Sequence, residues 1–165
     1  MARTGGRGEY AGRGGESFVE PDGRGFAYLD FGGDGRPVVL ALHGHVGRGR
    51  SFAPPAAALA GRYRVVALDQ RGHGLSDHGG EFTPGRYAAD VAAFLDALAL
   101  APVAVLGHSM GGAVAFHLAL PRPDLVPALV VADMTTLNRG PETRPCWTCP
   151  AGRAAPARVG TWRGR

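Results

Sequence analysis

The stretch Gly107-His108-Ser109-Met110-Gly111, with Gly112 behind it, constrains the fold more than any other part of the chain. It follows the apolar run Pro102–Leu106 and leads into Ala113–Leu118, which has helical composition. Strand, G-x-S-x-G, helix is the pattern of a sharp elbow that lifts a serine hydroxyl clear of the C-terminal edge of a parallel sheet. Glycines flank the serine because so tight a turn leaves no room for a nearby Cβ. The helix that starts there adds unpaired backbone N–H groups and the positive end of its dipole, surroundings that favour negative charge. The plainer alternative is a serine that only caps a helix. The strand on one side and the helix on the other favour the elbow.

Around this centre, strand and helix patterns alternate. Ser17–Glu20 and Gly25–Phe31 read as short strands joined by a turn at Pro21-Asp22-Gly23. Val38–Leu42 is unbroken apolar sequence, as expected of a strand covered on both faces. Ser51–Ala60 reads as a short helix, with Pro54 and Pro55 tolerable only in its first turn. Tyr63–Leu68 is a further strand. Thr83–Leu100 places Tyr87, Val91, Phe94, Leu95 and Leu98 on one helical face. Val103–Leu106 feeds the elbow, Gly111–Leu120 leaves it as a helix stopped by Pro121 and Pro123, and Leu129–Ala132 is a strand ending at Asp133. The class is α/β: a mostly parallel sheet of about six strands, flanked by helices and joined by right-handed crossovers. Residues 1–16, with six glycines, read as a flexible Gly/Arg leader, and residues 17–138 as the folded part. In residues 139–165, 14 of 27 residues are Gly, Pro or Arg, which predicts a disordered tail.

The net charge of +4 raises the question of a nucleic-acid partner. All 18 basic residues are Arg, and only nine of them lie between Gly15 and Asn138, against 12 Asp and Glu. The basicity belongs to the two ends, so no nucleic-acid role is expected. No apolar run approaches the roughly 20 residues that span a bilayer, and the N-terminus lacks the apolar core of a signal peptide. No membrane association and a cytoplasmic location are the expectations. Cys146 and Cys149 form a lone C-x-x-C among prolines, with no second pair to complete a zinc site and no strand and helix to make it a redox motif. No metal and no cofactor are expected: there is no Lys for a Schiff base and no G-x-x-x-x-G-K phosphate loop.

Two further segments have glycine-rich exits from strands. They are Arg36-Pro37-Val38-Val39-Leu40-Ala41-Leu42-His43-Gly44-His45 and Tyr63-Arg64-Val65-Val66-Ala67-Leu68-Asp69-Gln70-Arg71-Gly72-His73-Gly74-Leu75-Ser76. Together with the elbow they resemble the α/β-hydrolase superfamily, specifically its serine-nucleophile esterase, lactonase and cofactor-free haloperoxidase members, from about Ser17 to Asn138. The resemblance implies Ser109 as nucleophile and the N–H groups of Met110 and His45 as the oxyanion hole. It gives supporting roles to His43, Gly44, Asp69, Arg71, Gly107, Gly111 and Gly112, and makes Asp133 a candidate acid. The implied substrate is a small molecule with an ester, lactone or related acyl bond. Serine at the elbow excludes epoxide opening and halide displacement, because an alkyl ether on serine has no carbonyl through which to be hydrolysed.

In that family the chain order is Ser, then Asp or Glu, then His. Here the six histidines are His43, His45, His73, His78, His108 and His117, and none follows His117. The resemblance therefore implies a C-terminally truncated member that carries the nucleophile and lacks the usual base. Of the six, only His45 is expected to face the pocket; His108 should point away from Ser109, and His73 and His78 should lie nearer solvent. Three readings stay open: an acyl hydrolase acting through Ser109, a non-catalytic remnant, and one half of a split hydrolase. The apolar Leu129–Ala132 strand would be an exposed edge, through which association is expected.

Overall fold

Apolar residues alternating to both sides of two central strands set the layers of this molecule. A computed structural model describes residues 10–11 and 15–134. The strands are β1 (Tyr10–Ala11), β2 (Ser17–Val19), β3 (Phe26–Asp30), β4 (Val38–Leu42), β5 (Arg64–Leu68), β6 (Ala104–His108) and β7 (Ala128–Ala132). The α-helices are α1 (Ala53–Leu59), α2 (Pro84–Leu98) and α3 (Met110–Ala119). In β4, Leu40 and Leu42 face one layer and Val39 and Ala41 the other. In β5, Val66 and Leu68 oppose Val65 and Ala67 in the same way. Leu40, Leu42, Val66 and Leu68 meet Tyr87, Val91, Phe94 and Leu95 of α2 and Val114, Ala115 and Leu118 of α3. The opposite face is covered by Phe52 and Ala56. Each large side chain buried this fully contributes about 1.5–3 kcal/mol.

Among the described residues one seven-stranded sheet results, in the order β1-β2-β3-β5-β4-β6-β7. The pairs β4–β5, β4–β6 and β6–β7 are parallel, and β1–β2, β2–β3 and β3–β5 are antiparallel. The sheet is thus parallel from β5 to β7 and antiparallel at its N-terminal edge. The expectation of about six strands missed β1, because two residues inside a Gly/Arg-rich stretch have no detectable period. Tyr10–Ala11 pair with Ser17–Phe18 and lie within the span read as a flexible leader. The expected tail and the Cys146/Cys149 pair lie outside the described residues.

Helix boundaries follow local chemistry. Pro84 opens α2 behind Thr83, whose hydroxyl accepts the Arg86 N–H at 3.3 Å, a cap worth about 1 kcal/mol. The segment expected as one helix from Ser51 is a 3₁₀ turn over Gly49–Phe52 that runs into α1, with a proline in the first turn of α1. At the far edge, β7 has Val130 and Val131 exposed and, among the described residues, pairs only with β6. No helix among the described residues is long and apolar enough to cross a membrane.

The chain leaves β4 for β5 on one side and returns to β6 on the other. The segments following β4 and β6 therefore diverge to opposite faces of the sheet. Such a switch point opens a crevice at the carboxyl ends of the strands, where open α/β sheets place their ligands.

Candidate active site

Sheet register builds the site. Leu42 stands opposite Gly107, and Gly107 opposite Val131. Beyond these pairs the three strands run on into Gly44, Ser109 and Asp133, side by side at the carboxyl edge. Ser109 sits between β6 and α3 at φ 48° and ψ −114°. For a residue with a side chain this left-handed backbone costs on the order of 1–3 kcal/mol and must be held by its surroundings. The Ser109 N–H bonds the Ala132 carbonyl at 2.9 Å, and the Ser109 carbonyl accepts from Ala113 N–H at 3.2 Å. The helix is not capped by the serine side chain. The hydroxyl is therefore free of the plainer structural role, and no hydrogen bond among the described residues engages it.

The flanking glycines are close-approach positions. A Cβ on Gly107 would overlap the Gly112 backbone, and one on Gly111 would overlap the Leu42 carbonyl. One on Gly112 would come within 2.8 Å of Val131 Cγ1. A Cβ on Gly44 would lie 2.7 Å from His108 Nδ1 and 3.4 Å from Ser109 Cβ, so the segment after β4 presses directly on the elbow.

His43 organises that segment. It is 1% exposed. Its Nε2 accepts the Gln70 N–H at 3.0 Å, which puts the ring proton on Nδ1, and Nδ1–H donates to the Gly44 carbonyl at 2.8 Å. The Gln70 amide nitrogen in turn donates to the His43 carbonyl at 2.7 Å. Burial pushes the imidazole below its ordinary pKa, chiefly by desolvation, which suits the neutral ring that this pattern requires. The Gly44 carbonyl also accepts from Gly47 N–H at 2.9 Å. In a trans peptide the N–H points opposite to the C=O. Pinning the Gly44 carbonyl therefore aims the His45 N–H the other way, and among the described residues no backbone carbonyl takes it up. Met110, the first residue of α3, has the second such N–H, as helix starts do.

Asp69 and Arg71 are buried and act as supports. The Asp69 carboxylate accepts Gly49 N–H at 2.6 Å and Leu75 N–H at 2.9 Å. Arg71 spans to the Asp90 carboxylate at 2.5 and 2.6 Å and to the Glu81 carbonyl at 2.9 Å. Arg71 and Asp90 stand 19 residues apart, so spacing along the chain gives no sign of this partnership. Asp133, the candidate acid, has φ 54° and lies 3.5 Å from His108 Nε2. His108 is exposed and spans from Gly44 to Asp133. The His45 ring meets the His73 ring edge-on at 5.9 Å. His73, expected nearer solvent, is half-buried, its ring close to those of His43, His45 and Tyr87. His78 is exposed, and desolvation holds His117 below the usual imidazole pKa. Among the described residues no cluster of His, Cys, Asp and Glu is arranged to hold a metal. Clefts of about 400 Å³ beside Glu20, Asp22 and Asp96, and of about 70 Å³ beside Arg48 and Leu75, lie away from Ser109.

Known proteins share this arrangement of elements. The chain is 38% identical over 107 residues to the sn-1-specific diacylglycerol lipase ABHD11 of Mus musculus, covering 64% of this chain and 35% of that one. It is 36% identical over 141 residues to Lipase LipV of Mycobacterium tuberculosis, covering 80% and 54%. Among solved structures, the epoxide hydrolase VrEH1 from Vigna radiata superposes with a TM-score of 0.70 at 30% identity, over 79% of this chain and 43% of that one. The chain thus spans from about a third to about half of the length of these relatives. The family model for the alpha/beta hydrolase fold matches residues 37–148, and the chain belongs to that family.

Proposed function

We propose that Ser109 is the nucleophile of an acyl hydrolase acting on a carboxylic ester, lactone or related acyl bond of a small molecule. The observation that carries this reading is the strained serine at the elbow, beside two backbone N–H groups that no backbone carbonyl engages. Ser109 Oγ would bond to the carbonyl carbon while the carbonyl π pair moves to oxygen. The N–H groups of His45 and Met110 would receive that charge. Each such donor is worth roughly 3–4 kcal/mol in a transition state. Collapse of the adduct expels the alcohol and leaves an acyl-serine, which water then hydrolyses. Serine also separates this chemistry from that of the epoxide hydrolase relative, since acyl-serine retains a carbonyl for water to attack.

The hydroxyl proton needs a general base. The described residues place no imidazole in hydrogen bond with Ser109, and Asp133 faces His108 instead. Removing the histidine of a comparable triad lowers turnover by about 10⁶. The reading therefore assigns these residues the nucleophile and the oxyanion site, with efficient turnover requiring an imidazole that none of the described residues brings to Ser109. The test is p-nitrophenyl acetate hydrolysis by the purified chain against Ser109→Ala. A serine-dependent rate supports the reading. Equal rates would favour the second reading, a non-catalytic member, which the unengaged serine hydroxyl also accommodates.

A further inference from the structure

We infer that His73 is a positioning residue that completes the oxyanion site by fixing the peptide after His45. The inference rests on Ser109 being the nucleophile and His45 N–H an oxyanion donor. His45 lies between two peptide planes. The one before it is held through the Gly44 carbonyl by His43 Nδ1–H and Gly47 N–H. The one after it is held through the His45 carbonyl, which lies 2.7 Å from His73 Nε2. Val46 is 99% exposed, so its side chain does not help to hold this second plane. A carbonyl only accepts, so this bond needs hydrogen on Nε2. The other ring nitrogen, Nδ1, lies 2.9 Å from the Arg71 carbonyl.

His73 can hold His45 because it is itself fixed. Its N–H donates to the Gln70 carbonyl at 2.9 Å, and its carbonyl accepts from Ser76 N–H at 3.1 Å. The segment carrying it is tied to His43 through Gln70, to Gly49 through Asp69 and to α2 through Arg71 and Asp90. His73 thus carries the rigidity of the segment after β5 across to the segment after β4. With both planes pinned, the His45 N–H direction is set before any charge develops, which is the condition for such a donor to be effective.

The test compares wild type with His73→Phe, which keeps a ring and removes both ring nitrogens, and His73→Gln, which restores an N–H donor. The first readout is the rate at which a fluorophosphonate labels Ser109, with Ser109→Ala as the blank. His73→Phe should slow labelling by about tenfold or more, with the roughly 10²–10³-fold of a donor lost outright as the upper bound. His73→Gln should recover part of the rate, which a purely space-filling role would not produce. Unchanged labelling in His73→Phe, or a loss that Gln does not relieve, overturns the inference. If wild type labels no faster than Ser109→Ala, the nucleophile reading fails instead. Amide exchange at Gly47, whose N–H bonds Gly44, then judges the clamp alone. Exchange about tenfold faster in His73→Phe sustains it, and unchanged exchange refutes it. Should the Phe variant not fold, His73→Ala is read in the same way.

Discussion

Ser109 and the glycines around it carry the tightest constraints at the scale of single residues. Gly111→Ala would drive a Cβ into the Leu42 carbonyl, an atom of the central strand that cannot move aside. Its expected cost is at least about 2 kcal/mol, read as a lowered denaturation midpoint with unchanged slope. His43 makes a second prediction, on pH. Its folded pKa lies below the ordinary value of about 6.5, because burial disfavours the imidazolium. A group so shifted contributes its full stability above pH ~6.5 and loses it as the pH falls towards the folded value. His117 is displaced in the same direction. The melting temperature should therefore fall as the pH drops below about 6.5, and His43→Asn, which cannot gain that proton, should flatten the fall. An identical slope in the variant would remove His43 from the account.

At the scale of elements, α2 offers two measurements. Ala99 ends the helix at φ 51° and ψ 42°, where a side chain is strained and glycine is not. Ala99→Gly should raise stability by about 0.5–1 kcal/mol. Arg71 and Asp90 form a buried pair, with side chains only 8% and 12% exposed. Asp90→Ala should cost about 1.5–3 kcal/mol, because it removes two charged hydrogen bonds and leaves the largely buried guanidinium with the Glu81 carbonyl. Both expectations are read by urea unfolding. At the sheet edge, Val130 is 59% exposed on a strand with no charged residue in it. Val130→Lys should reduce self-association in sedimentation with little change in melting temperature. Elements with a clear period were legible in the sequence: β4 occupies the expected Val38–Leu42, and α2 lies within Thr83–Leu100. The Asp90 partnership and the place of His73 were not legible. Each depends on which loops meet across the sheet, and spacing along the chain carries no trace of that.

At the scale of the whole molecule, the strand order matters more than any one element. Because β4 lies between β5 and β6, the segments bearing His45 and Ser109 diverge from neighbouring strands. The elbow thereby meets the segment after β4, which hydrogen bonds from His43 and Gly47 hold in place. The elbow and the glycine-rich segment after β4 were legible because they lie in short contiguous motifs at strand ends. A base was not, since no histidine follows His117 and none of the described residues hydrogen-bonds the Ser109 hydroxyl. If residues 43–45 and 109–110 by themselves form a site prepared for an oxyanion, a crystal structure of the phosphonylated chain will show it. The phosphonyl group is expected on Ser109, with its non-bridging oxygen about 2.7–3.1 Å from the backbone nitrogens of both His45 and Met110. Modification of a different residue, or a phosphonyl oxygen turned away from those two nitrogens, would contradict it.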